Sequence, residues 1–178
     1  MKYVGAAVWL LAGAATCAFA PEPGAALVPE QVAALGGCWE SVGSVMGKAV
    51  SIALAAKPIT EGALFLVEVE NVAVGDPADR YAAHLIFGGK TSPAEGGEGA
   101  TVTGFYADSF GGDGVAAGSG SVRPHGFEIA YAYPQASFVN RWTIMPNALS
   151  WTITATDLAG SEQGFAGYEM TRAECPVD

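Results

Sequence analysis

The chain has 178 residues, just over half of them apolar, and carries 8 Lys and Arg against 18 Asp and Glu, a formal charge of −10. That balance opposes nucleic-acid backbones and anionic membrane surfaces, both of which are held through basic residues. The length suits one domain with a substantial core.

In chain order, Lys2 precedes an apolar run over residues 4–15, and Ala18-Phe19-Ala20 has the small-x-small form of a processing site. Residues 1–20 therefore read as a secretory signal peptide. The run is too short, and too soon followed by Pro21 and Glu22, to span a bilayer. Cys17 raises lipid attachment as an alternative, although Thr16 stands directly before it, where Gly or Ala is normally required. Removing the leader leaves about 158 residues and takes away Lys2, so 7 basic residues face 18 acidic ones, a net of −11. This predicts a monomer in the periplasm or secreted, with no nucleic-acid partner and no membrane span. Residues 21–27 read as a flexible leader and residues 28–178 as a single domain.

Residues 28–37, VPEQVAALGG, place Pro29 in a first turn and Val32 and Leu35 on one face, with Gly36-Gly37 as a stop. This is a helix of one or two turns. Residues 43–56 are small and apolar and leave a second helix-like turn open as a reading. Strand alternation dominates afterwards. Phe65, Val67 and Val69 share one face, as do Tyr81, Ala83, Leu85 and Phe87, with DPADR (residues 76–80) read as a turn before them. Residues 88–99 form a polar, glycine-rich loop. Val102, Gly104 and Tyr106 come next on one side, followed by a glycine-rich stretch, residues 110–120, that is either a loop or a narrow strand. The sets Phe127, Ile129, Tyr131 and Tyr133, then Phe138, Asn140, Trp142 and Ile144, then Trp151, Ile153 and Ala155, then Tyr168 and Met170 complete the pattern.

Seven to nine short antiparallel strands follow from this spacing. The expected fold is all-β: an up-and-down antiparallel β-barrel with a short N-terminal helix, because closure removes edge strands and the bulky faces can point inward. A two-layer sandwich is the alternative. Cys38 and Cys175 lie near the two ends of the domain, and an exported chain with an even pair predicts one disulfide. In the chain-entropy account so long a loop contributes about 4–5 kcal/mol. No metal is expected, since no His or carboxylate stands at ligand spacing from either cysteine.

Gly37-Cys38-Trp39 after a short helix resembles the glycine-x-tryptophan start of lipocalin-like (calycin) barrels. The segments PADRYAAHLIF, GFYADSFGG and SFVNRW are similar to exported bacterial small-barrel families of unknown function in that superfamily. The resemblance implies a Trp capping the closed end beneath a ligand cavity. Only Gly37 and Trp39 carry over, both as structural residues. Some related barrels hold haem through a histidine, for which His84 and His125 are the candidates here. No cofactor is expected.

The residues themselves suggest a cavity lined by His84, Tyr106, Phe127, Tyr131, Asn140, Trp142 and Trp151. An imidazole can ligate or act as a base, although His84 shares its face with Ala82 and Ile86. Asn140 is a polar group among aromatics that must bond to the backbone, to Tyr131 or to a ligand. Arg141, on the opposite face, is expected to pair with Glu128 or Glu169. Asp108, His84 and Ser109 supply the residue types of a nucleophilic triad, but no Gly-x-Ser-x-Gly elbow surrounds Ser109. The reading is an exported barrel that binds a small, largely apolar ligand without chemistry. The alternatives are a filled barrel acting as an envelope interaction or structural module, or an enzyme built on His84.

Overall fold

The computed structural model describes residues 22–90 and 101–176. The expected signal peptide, Cys17 and most of the loop after residue 90 lie outside them. A one-turn helix, α1 (Glu30–Ala33), leads into ten strands: β1 (Gly37–Val45), β2 (Lys48–Ile59), β3 (Leu64–Ala73), β4 (Asp76–Gly89), β5 (Thr101–Asp108), β6 (Ala116–Arg123), β7 (Gly126–Ala132), β8 (Ala136–Met145), β9 (Ala148–Asp157) and β10 (Glu162–Ala173). Each pairs antiparallel with the next, and β10 returns to β1, so the sheet closes. The closing register sets Cys38 opposite Ala173 and Trp39 opposite Arg172. The Cys38–Cys175 disulfide lies beside this seam, with 5.2 Å between the Cα atoms.

The two-residue period does the sorting. Phe65, Val67 and Val69 on β3, Ala83, Leu85 and Phe87 on β4, and Phe127, Ile129 and Tyr131 on β7 are all buried inside. Glu68, Arg80, Glu128 and Arg141 lie on the outer wall, where Arg141 Nε donates to Glu128 Oε2 at 2.7 Å. Strand ends alternate between two rims. The turns at residues 46–47, 74–75, 109–115, 133–135 and 158–161 form one end of the barrel. Helix α1, the disulfide and the turns at residues 124–125 and 146–147 form the other.

That second end is closed by packing. Val32 and Leu35 are fully buried under it, and Trp39 Nε1 donates to Leu35 O at 2.8 Å. The Arg172 guanidinium lies 3.8 Å above the Trp39 ring centroid, and its Nη1 bonds to Gly36 O. Gly37 makes this possible, because its φ is +107° and a Cβ there would stand 2.5 Å from Arg172 Nη1. From this plug an aromatic column rises along the axis. Phe87 meets Phe127 at 5.1 Å, Phe127 stacks on Trp142 at 5.8 Å, Trp142 on Trp151 at 4.3 Å, and Trp151 meets Tyr168 at 5.1 Å. Rings of this size bury 150–250 Å² each, so the column supplies a large share of the core.

The closed barrel is the expected architecture, and three expectations need correction. Among the described residues there are ten strands, above the expected seven to nine. Residues 43–56 hold no helical turn: they form the end of β1, a tight turn and most of β2, where Val50, Ile52, Leu54 and Ala56 alternate inward. DPADR is the start of β4, and the turn before it falls at Val74-Gly75. Residues 110–120, expected as either a loop or a narrow strand, hold both: a short loop and then the start of β6, whose Gly118 faces Tyr131 across the ladder. Small residues are used there because a Cβ at Gly118 would stand 2.7 Å from the Tyr131 ring.

Candidate functional site

Above the aromatic column the barrel is hollow. A cavity of about 630 Å³ opens at the end away from α1. Trp151, Tyr131, Asn140, Ile153 and Tyr168 line its depth, and Tyr81, Tyr106, Tyr133, Phe138 and Phe165 its upper wall. Met46, Lys48, Asp79 and Phe110 stand at the mouth.

Each wall residue is positioned by strand parity and then fixed by a neighbour. Tyr131 is buried beside Gly104, where a Cβ would stand 2.7 Å from its hydroxyl; the missing side chain on β5 lets the phenol lie across the barrel. Asn140 is 1% exposed and resolves its own burial: Oδ1 accepts from Trp151 Nε1 at 3.0 Å, and Nδ2 donates to Phe138 O at 3.4 Å. Asn71 Nδ2 donates to the Tyr168 hydroxyl at 3.0 Å. Near the mouth, Tyr81 donates to Asp108 Oδ2 at 3.1 Å and its oxygen lies 2.8 Å from that of Tyr106. Asp108 Oδ1 accepts from Phe110 N at 3.0 Å, and Tyr133 donates to Gly114 O at 3.1 Å, so the loop after β5 is tied down at both ends.

The electrostatics follow from this burial. Tyr81, Tyr106 and Tyr131 have pKa values pushed well above the ordinary tyrosine range, chiefly because their phenolates would be desolvated. Neighbouring Asp108 adds to the shift at Tyr81 and Tyr106, while the Tyr81 hydrogen bond partly offsets it at Tyr106. The cavity therefore presents neutral phenols. At the mouth the Lys48 ammonium is bonded to Asp79, which raises its pKa, and Asp76 adds to the effect.

Of the residues expected at a site, the structure brings Tyr106, Tyr131, Asn140 and Trp151 to the cavity wall. Phe127 and Trp142 lie below, inside the column that supports Trp151. His84 is not there. It points from β4 to the outer wall with its side chain 63% exposed, and its Nε2 is 3.8 Å from Glu68 Oε1. His125 occupies the β6–β7 turn at the opposite end, with φ +61°. Asp108, His84 and Ser109 are not joined: Asp108 is bonded to Tyr81, and Ser109 Oγ accepts from Ala82 N at 3.4 Å. Among the described residues no group of three or more His, Cys, Asp or Glu could hold a metal ion.

The barrel is calycin-like in shape. Gly37 and Trp39, carried over from the resemblance, sit at its closed end. No protein-family model matches the chain, and no curated protein matches it.

The sequence reading missed Asn71, Asp108, Tyr168 and Arg172 as partners in these arrangements. Asn71 had a signal, since it continues the inward series Phe65, Val67, Val69. Arg172 had none, because its role depends on the register that closes β10 on β1.

Proposed function

We propose that the protein is an exported carrier or sensor that takes a small, largely apolar molecule into the open end of its barrel and performs no chemistry on it. The observation that carries this reading is the cavity, whose volume falls in the range of small-molecule sites and whose wall is aromatic with a few placed polar atoms. The disulfide is consistent with an oxidising, extracytoplasmic setting, and hence with a periplasmic or secreted protein. The outer wall carries the ion pairs Lys57–Glu68 and Arg141–Glu128, which suits water at that face. Among the described residues no helix is long and apolar enough to cross a membrane.

An interaction module is the second reading, and one observation favours it. Met46, Val74, Phe110, Val115 and Leu158 are exposed, and all five stand on turns at the open end. Diphenylhexatriene, a neutral apolar probe, separates the two. A carrier makes the probe fluoresce at one site per chain, and Val50→Trp, which fills the cavity from β2, abolishes the signal while circular dichroism stays unchanged. Uptake that survives in Val50→Trp, or no uptake by the natural chain, would contradict the carrier reading.

A further inference from the structure

We infer that the ligand carries an organic cation, an ammonium on an apolar body, and that Asp108 with Tyr81 and Tyr106 receives it; this rests on the carrier reading and names its ligand class. Hydrogen-bond supply in the upper cavity points to this class. A phenol has a single proton to donate. Tyr81 gives its proton to Asp108 Oδ2, so the 2.8 Å contact between Tyr81 and Tyr106 must be donated by Tyr106. Tyr133 gives its proton to Gly114 O. Around the upper cavity the three hydroxyls and the carboxylate thus have acceptor lone pairs left and no donor. Deeper down, Asn71 Oδ1 is buried without a partner, and donors remain there in the Tyr168 and Tyr131 hydroxyls and the second Nδ2 protons of Asn71 and Asn140. A guest that fits this wall brings N–H groups to its upper end.

Charge and ring placement point the same way. Among the described residues, Asp108 is the one carboxylate of the cavity wall without a cationic partner, because Asp79 is bonded to Lys48. An anionic guest drawn to Lys48 would meet Asp79 and Asp76 beside it. Tyr81 lies 6.0 Å from Phe110, Tyr133 lies 5.6 Å from Phe138, and Phe138 lies 5.0 Å from Phe165, so five aromatic rings share the lining of this cavity with Asp108. Such rings attract a cation through their quadrupoles, and a charge-assisted bond to the carboxylate adds to that.

The test uses three probes sharing one body, 3-phenylpropylamine, 3-phenylpropan-1-ol and 3-phenylpropanoate, each displacing diphenylhexatriene from the full chain. The amine is expected to bind about tenfold or more tightly than the alcohol, with the carboxylate weakest. Asp108→Asn should bring the ratio of amine to alcohol affinity from tenfold or more down to about one. Equal binding of amine and alcohol by the natural chain overturns the inference while diphenylhexatriene uptake still upholds the carrier reading. Absence of diphenylhexatriene uptake overturns both. An Asp108→Asn chain that keeps the amine preference overturns the role of Asp108.

Discussion

Asn140 shows how far a single residue could be read. Its inward parity on β8 required a partner, and the structure supplies two, Trp151 Nε1 and Phe138 O. Removing it should therefore leave the buried indole N–H of Trp151 unpaired. Asn140→Leu is expected to destabilise the barrel by about 1–3 kcal/mol, read from urea unfolding. A cost near zero would mean that the indole finds another acceptor. His84 marks the opposite limit. Its alternation with Tyr81 and Leu85 already placed it on the Ala82 and Ile86 face, and the outward direction follows from that parity. Its residue type alone had suggested a site. Chemistry-bearing residue type was thus a poorer guide here than position in the strand.

At the scale of elements, alternation identified most strands wherever large side chains marked one face, as on β3, β7, β8 and β9. It failed where both faces carry small residues. On β2 the outward positions include Ala49, Ser51 and Ala53, and the contrast that reveals a strand is weak. On β6 Gly118 faces Tyr131 and Gly120 faces Ile129, so the bulky partners that explain them are on another strand. DPADR looked like a turn because Asp and Pro favour turns, yet Pro77 sits near the start of a strand, where a missing N–H is tolerated. The convergence of β4, β5, β7 and β10 on one cavity gives a prediction about pH. Tyr81, Tyr106, Tyr131, Tyr133 and Tyr168 all have folded-state pKa values shifted upward by burial. The unfolded phenols ionise near pH 10, so each contributes stability that is full below that value and declines as pH rises through it, by up to about 1.4 kcal/mol per pH unit. Tyrosinate absorbance near 295 nm should therefore appear in these five together with loss of barrel circular dichroism. Smooth titration of all five in a folded barrel would contradict the burial.

For the whole molecule, closure is what makes the rest follow. It brings β1 beside β10, sets Cys38 within reach of Cys175 across 137 residues of chain, and lets Arg172 cover Trp39. The fold class and the disulfide were legible from strand spacing and the terminal position of two cysteines. The clamp on Trp39, the tyrosine–Asp108 network and the division of the interior into a packed lower half and a hollow upper half were not, because each depends on register between strands distant in sequence. Replacing both cysteines by serine should cost about 4–5 kcal/mol in the chain-entropy account. Guanidinium unfolding of the double variant measures it, and an unchanged midpoint would show that the seam holds without the crosslink.

The central claim is that the upper half of the barrel is a receptacle for an apolar body. A crystal structure grown with saturating diphenylhexatriene tests it most directly. The account predicts one probe molecule inside the barrel, in contact with Tyr131, Trp151 and Tyr168. Side chains filling that space, with the probe bound on the outer wall or absent, would contradict it.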